Sequence, residues 1–150
     1  MPDGKAPPLP VTWRPRRARV IAYGLAGVMV AGSVLLAVIM PEQFKLPDRL
    51  ALVVFGVLVA AILHLLGRLR VHADDRGLTV VNALRVHRFE WAEVLDVTMV
   101  EGDPWPKLDL ANGLTLGVMG IQSTERERSR QALSELSALI RERGEAPDRA

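Results

Sequence analysis

Three histidines and two adjacent aspartates are the residues of this chain best suited to chemistry. His72 and His87 fall in segments that alternate apolar and polar residues, and Asp74 and Asp75 closely follow His72. Imidazoles beside carboxylates would serve metal binding. The spacing does not support it. No His-Glu-x-x-His pattern occurs, and a hydrolytic metal centre takes three protein ligands with an outer layer of supporting groups. These side chains read as solvated strand faces, with no metal ligand and no catalytic residue assigned. His64 lies inside an apolar run, where an ionisable group is a functional candidate by default. Its place a few residues from the end of that run favours an interfacial position over a proton relay.

Other chemistries fail on residue type. The sequence contains no cysteine. That excludes disulfides, Cys-ligated zinc and a thiol nucleophile, and leaves the redox compartment open. "GLAG" and "GLTLG" lack the strand–turn–helix setting of a phosphate loop, and no nucleophile elbow or dinucleotide fingerprint is present. The chain is therefore expected to be no enzyme and to carry no cofactor.

Charge is distributed unevenly. The net charge is +2. Residues 1–19 carry +4, residues 41–49 are neutral, and residues 68–150 carry −2. The cluster Arg14, Arg16, Arg17 and Arg19 adjoins the first apolar run, and Arg68 and Arg70 follow the second. Such clusters set topology and attract anionic lipid headgroups without selectivity. Nucleic-acid binding would want a basic face with stacking aromatics, and the negative C-terminal half argues against it. Specific phosphoinositide recognition needs several Lys and Arg converging on one loop. Residues 68–150 contain Lys107 alone as lysine, and Arg85 and Arg88 are expected to be split by a β-bulge.

The elements that position these groups begin with two apolar runs. Val20–Met40 is 21 residues without a charge, and Leu50–Leu66 is 17. The first crosses a ~30 Å hydrocarbon core at 1.5 Å per residue, and the second does so if it extends past Arg68. The first is too long for a signal-peptide core and lacks a small-x-small cleavage site. Spans are expected over 20–40 and 50–67, joined by an external loop over 41–49. Residues 1–19 form a Pro-rich lead-in expected to be disordered, with Trp13 and Tyr23 near the membrane interface. In a closed hairpin, residues at equal depth have numbers summing to about 90. Gly27 with Ala60, and Ala31 with Gly56, nearly meet that condition, so these four are the expected helix contact.

After Arg70 the period changes to two. "GLTVVN" puts Leu78 and Val80 on one face, and "ALRVHRFEW" puts Leu84 and Val86 inward before Phe89 breaks the alternation near His87 and Arg88. In "VLDVTMV", Leu95, Val97 and Met99 share a face. A three-residue loop, Ala111-Asn112-Gly113, pairs Leu110 with Leu114 and Leu108 with Leu116, with Gly113 in the left-handed position. Thr124 with Glu127 reads as a capping box, ahead of the helical stripe Ala132, Leu133, Leu136, Leu139 and Ile140. About six short strands and one amphipathic helix result, with a flexible tail over 144–150.

The run Asp75, Gly77-Leu78, Val80, Asn82, Arg85, Trp91-Ala92-Glu93-Val94, then Trp105, Leu108 and Leu110, resembles the bacterial PH-like domain of the low-molecular-weight protein antigen type. That type occurs in small actinobacterial membrane proteins with two spans ahead of the domain. The likeness covers residues 68–122 and the layout before them. It implies an α+β domain over 68–143: a bent antiparallel sheet of six to seven strands capped by a C-terminal helix, with the seventh strand missing or lying in Arg68–Ala73. It implies no catalytic activity. The expected function is a membrane-tethered module that binds a protein or peptide at the cytoplasmic face of a bacterial plasma membrane. The alternative is a small accessory subunit whose transmembrane hairpin carries the assembly role.

The basic residues flank the outer ends of both spans, so both termini are expected in the cytoplasm. Cysteines placed at Asp3, Gln43 and Gly144 test this. An impermeant thiol reagent added to intact cells should label the Gln43 site alone. Labelling at Gly144 without labelling at Gln43 would reverse the orientation.

Overall fold

The computed structural model describes residues 5–144. The chain divides into two compact units, Arg16–Arg68 and a second one drawn from both sides of it, Met1–Pro15 with Leu69–Ala150.

The first unit is a hairpin of two helices, α1 (Arg16–Ile39) and α2 (Leu46–Gly67). Both are long and apolar enough to cross a membrane. Large side chains such as Val20, Val28, Ile39, Phe55, Leu58 and Ile62 are exposed around them. The connection is shorter than the expected 41–49, because Pro47 and Asp48 start a helix instead of preceding one. The Asp48 carboxylate accepts the Lys45 N–H at 2.9 Å, as an acidic group in a first turn does. Arg49, counted from sequence as a loop charge, lies inside α2. Its guanidinium donates to the carbonyls of Ala37, Val38, Met40 and Pro41. Ala37 and Val38 carry carbonyls that the end of α1 leaves without helical partners, and Met40 and Pro41 follow it directly.

The expected contact of Gly27 and Ala31 with Ala60 and Gly56 is only partly formed. A methyl group at Gly56 would collide with the Ser33 side chain and the Met29 carbonyl, whereas one at Gly27 would meet nothing within 4 Å. Ala31 is exposed and Ala60 half-buried. The depth argument holds, since Ser33 and Gly56 sit level, but Ser33 lies roughly 200° around the helix from Ala31. The Ser33 hydroxyl donates to the Val30 carbonyl at 2.9 Å, so it can be buried without an unpaired polar group. Nearer the open end, Gly67 faces the Tyr23 ring, and the Tyr23 hydroxyl lies 3.1 Å from His64 Nδ1.

The second unit holds seven strands in two sheets. The order β1-β2-β3-β4 comprises Val11–Trp13, Arg70–Ala73, Gly77–Val81 and Val86–Glu90. The order β5-β6-β7 comprises Val94–Thr98, Lys107–Leu110 and Thr115–Gly117. A 3-10 turn, Trp91–Glu93, interrupts the ladder between β4 and β5, which gives two sheets where one bent sheet was expected. Helix α3 (Arg126–Gly144) packs on β5. The core joins Trp13, Val71, Leu78, Val80, Leu108, Val118, Leu136 and Leu139.

The seventh strand comes from the lead-in expected to be disordered. β1 pairs antiparallel with β2, with Val11 opposite Ala73 and Trp13 opposite Val71. Val-Thr-Trp is a strand-forming triplet, and the prolines around it cost no ladder bond on an edge strand. Trp13 is therefore a core residue of the folded domain and not an exposed aromatic anchor. It is 9% exposed, and its Nε1–H donates to Glu135 Oε2 at 2.8 Å. The domain expected over 68–143 thus also contains residues from before the hairpin. The tail expected over 144–150 lies outside the described residues apart from Gly144, which ends α3.

Three local expectations change and one stands. β4 pairs with β3 without a bulge, from Gly77 opposite Glu90 to Val81 opposite Val86. Val86 and Leu84 are exposed, and His87 and Phe89 turn inward. The register shift falls instead between Val94 and Asp96, so Val94 and Val97 are buried and Leu95 is exposed. Thr124 lies within a 3-10 turn, Ser123–Glu125, that precedes α3. The 111–113 loop forms as expected: Leu110 N–H donates to the Leu114 carbonyl at 2.9 Å, Leu108 is opposite Leu116, and Gly113 has φ +80°.

Residues 5–15, joined through a short Gly-Ser linker to 69–144, should fold as a soluble domain, since Trp13 and Val71 are neighbours. Trp13→Ala should destabilise it by about 3–5 kcal/mol. Glu135→Ala, which removes the acceptor of the indole and of the Gln131 amide but leaves the ring buried, should cost about 0.5–1.5 kcal/mol. Urea unfolding followed by circular dichroism measures both. An unchanged midpoint in Trp13→Ala would place β1 outside the folded domain.

Candidate functional site

Pairing across the four-stranded sheet brings residues from both sides of the hairpin into one polar row. Thr12 is opposite His72, His72 opposite Thr79, and Thr79 opposite Arg88. Side chains alternate along a strand, so these four share the outer face, away from the core row Trp13, Val71 and Val80. Thr12 Oγ1 and His72 Nδ1 share a hydrogen bond of 2.7 Å, and His72 Nε2 lies 3.9 Å from Asp74 Oδ2. His87 is opposite Val80 on the inner side, its ring parallel to that of Phe89 at 6.1 Å. The two histidines thus face opposite sides of one sheet, and no single ion can bind both.

Asp74 builds the turn between β2 and β3. Its Oδ1 accepts the N–H groups of Arg76 at 2.8 Å and Gly77 at 3.1 Å, and its own N–H donates to the Gly77 carbonyl at 3.0 Å. The Trp91 indole donates to the Asp74 carbonyl at 3.0 Å, tying this turn to the break between the sheets. The Arg76 N–H holds the Asp74 carboxyl below its ordinary value of 3.8, helped by the Gly77 N–H and the charges of His72 and Arg76 and opposed by desolvation. A hydrogen bond to the charged form does this by favouring ionisation.

The same turn closes one end of an open groove of about 480 Å³, whose lining includes Asp74, Arg76, Thr79, Arg88, Glu90 and Glu93. Glu93 Oε2 accepts the Glu90 N–H at 2.8 Å. The groove runs onto β4, an end strand of its sheet. The Asn82 N–H donates to the Arg85 carbonyl, which sets the alternation. Asn82–Arg85, Val80–His87 and Leu78–Phe89 are hydrogen-bonded pairs, so the N–H and C=O of Val86 and Arg88 point away from β3. That is a short free edge carrying one apolar and one basic exposed side chain.

The basic cluster is divided between elements. Arg14 is exposed between β1 and α1, and Arg16, Arg17 and Arg19 start α1. The Arg19 guanidinium lies 5.8 Å from the Tyr23 ring centre. Arg68 caps α2, its N–H donating to the His64 carbonyl at 3.0 Å. Arg70 opens β2, opposite Val81. Sequence reasoning missed the β4 edge because it placed Val86 inward, and missed the Thr12–His72 pair because Thr12 stood in a segment read as unstructured.

Antiparallel strands followed by a packed C-terminal helix are what the resemblance implied, though in two sheets where it implied one, and the bacterial PH domain family matches residues 68–138. Uncharacterized proteins of Mycobacterium tuberculosis and Mycobacterium bovis are 31% identical over 129 residues, covering 85% of this chain and 84% of theirs. The chain belongs to the bacterial PH domain family. No solved structure matches it significantly. The family match begins at Arg68, so β1 of this PH domain lies outside it. Among the described residues no His, Asp and Glu cluster is grouped to hold a metal ion.

The lowered Asp74 value has a defined pH signature. Its turn contributes stability that is fully present above the ordinary value of 3.8 and is lost as pH falls through the lower folded value, because protonation removes the acceptor. The stability difference between the native domain and Asp74→Ala should not fall between pH 7 and 5 and should shrink below pH 4. Thermal unfolding across that range measures it. A difference that grows as pH falls below 4 would contradict the assignment.

Proposed function

We propose that this PH domain protein is a non-enzymatic, membrane-tethered module that captures a protein or peptide at the cytoplasmic face by strand addition to β4. The observation that carries the reading is the outward-facing backbone of Val86 and Arg88 on an end strand. An extended peptide gains main-chain hydrogen bonds there, and side chains facing alternate ways supply selectivity. The groove beside that edge offers Arg76, Arg88 and Thr79 to a peptide's polar groups.

The tether follows from the hairpin. Trp13 is opposite Val71, so the chain leaves for α1 and returns from α2 at adjacent strands. Both ends of the hairpin must then lie on one side of any membrane it crosses. This argument is independent of charge counting, and the arginines flanking both ends favour the cytoplasmic side.

A second reading has its own support. Gly24 and Gly27 have open space where a side chain would stand, and Ala31 shares their helix face. Small residues let helices approach closely within a bilayer, which suits a subunit of a larger membrane assembly.

The two readings separate by mutation. A photo-crosslinker at Val86 should capture a protein in cells, and Arg88→Pro, which removes an outward N–H, should abolish capture while the domain stays folded. Gly27→Leu should leave capture unchanged. Loss with Gly27→Leu and retention with Arg88→Pro would favour the subunit.

A further inference from the structure

The two-residue turn between β3 and β4 presents a large apolar side chain to solvent. Leu84 is 81% exposed, the highest value among the described large hydrophobic residues, and Val86 beside it is 47% exposed. Neither Ala83 nor Leu84 has a positive φ, and the Asn82 N–H donates to the Arg85 carbonyl at 2.9 Å across the turn. The turn thus holds out a leucine that the domain's own core does not use.

The register of the sheet says which end this is. Arg70 is opposite Val81, and Val81 opposite Val86, so the turn extends beyond the start of β2. β1 reaches the same end at Trp13, opposite Val71. The chain passes from Trp13 to Arg16 and from Gly67 to Arg70 in three residues each. Three residues reach at most about 11 Å, and Arg16 to Arg19 add roughly 5 Å of helical rise. Charge is unevenly spread along the same axis. Arg14, Arg70 and Arg85 lie at this end of the sheet, where Glu135 accepts from the Trp13 indole, and Asp74, Asp75, Glu90 and Glu93 lie at the other, with Arg76 and with Arg143, which lies 3.3 Å from Asp75.

We propose that the β3–β4 turn contacts the bilayer, with Leu84 inserted among the lipid headgroups and Arg70 and Arg85 beside anionic phosphates. This rests on the membrane reading of the hairpin. The occupant is the lipid surface and not a soluble anion, because the most exposed group at this end is apolar and the basic groups surround it. An amphipathic element of this kind buries its apolar side at the boundary between headgroup and acyl chain while its arginines meet the negative leaflet. The PH domain is then held at three points, by its two connections to the hairpin and by the turn, with its acidic end and the groove turned toward the cytoplasm.

The chain has no cysteine, so one introduced thiol carries one label. Full-length protein with Leu84→Cys, Glu90→Cys or Val28→Cys would be labelled with an environment-sensitive fluorophore. Each would be reconstituted into phosphatidylcholine–phosphatidylglycerol vesicles containing spin-labelled lipid. Val28→Cys, inside α1, reports the membrane reading itself. The expected result is strong quenching at Val28 and Leu84 and several-fold weaker quenching at Glu90. Adding Arg85→Glu should reduce quenching at Leu84 in these vesicles more than in pure phosphatidylcholine. A Leu84 label as unquenched as that at Glu90, with Val28 quenched, overturns the turn's role alone. Equal quenching at Leu84 and Glu90 overturns the end-on placement. An unquenched Val28 label overturns the membrane reading, and the inference with it.

Discussion

The pairing of β1 with β2 is the constraint on which the rest of the second unit depends. It joins residues fifty-eight positions apart, Trp13 and Val71, and the indole of Trp13 then reaches the last helix through Glu135. One side chain thus links the first strand, the second strand and the closing helix. Burial of an aromatic ring supplies the attraction, and the carboxylate satisfies the N–H that burial would otherwise leave unpaired. The outer polar row depends on the same pairing, because Thr12 is where it begins. Without β1 the β2 strand would be an edge, its N–H and C=O groups open to other chains.

Much of this architecture was legible in the sequence, and the failures share a cause. The two apolar helices, the 111–113 loop and the stripe of α3 are local patterns, and local patterns survive folding. The fold family was legible too, from spaced residues between Asp75 and Leu110. β1 was not, because three residues among prolines carry too little periodicity to be told from a linker. The phase of β4 was lost because Val86 is exposed and His87 turns inward, against their polarity. β4 is an end strand, where exposure costs an aliphatic residue little and an imidazole can half-bury beside Phe89. The bulge was sought at the break in β4's alternation, yet it falls at Leu95, in a run whose alternation looked regular.

The candidate site was the least legible part, for the same physical reason. A free strand edge is made of backbone groups, which carry no residue signature. The Asp74 turn has one, an aspartate two residues before the first N–H it accepts, but such turns are common wherever strands reverse. The helix contact shows how depth and azimuth separate. Depth follows from counting residues, whereas the facing side of a helix depends on which neighbours are small enough to touch, and Ser33 was not weighed.

A domain assembled from both sides of a hairpin has an order of construction imposed on it. During synthesis β1 emerges first and has no strand to pair with until β2 follows. At ~5–20 residues per second, fifty-eight residues take roughly 3–12 s to appear. Throughout that interval Val11, Thr12 and Trp13 wait beside the ribosome while both apolar helices pass. The first strand placed in the chain is therefore among the last to be paired, and a completed sheet records that both ends of the hairpin have come back together.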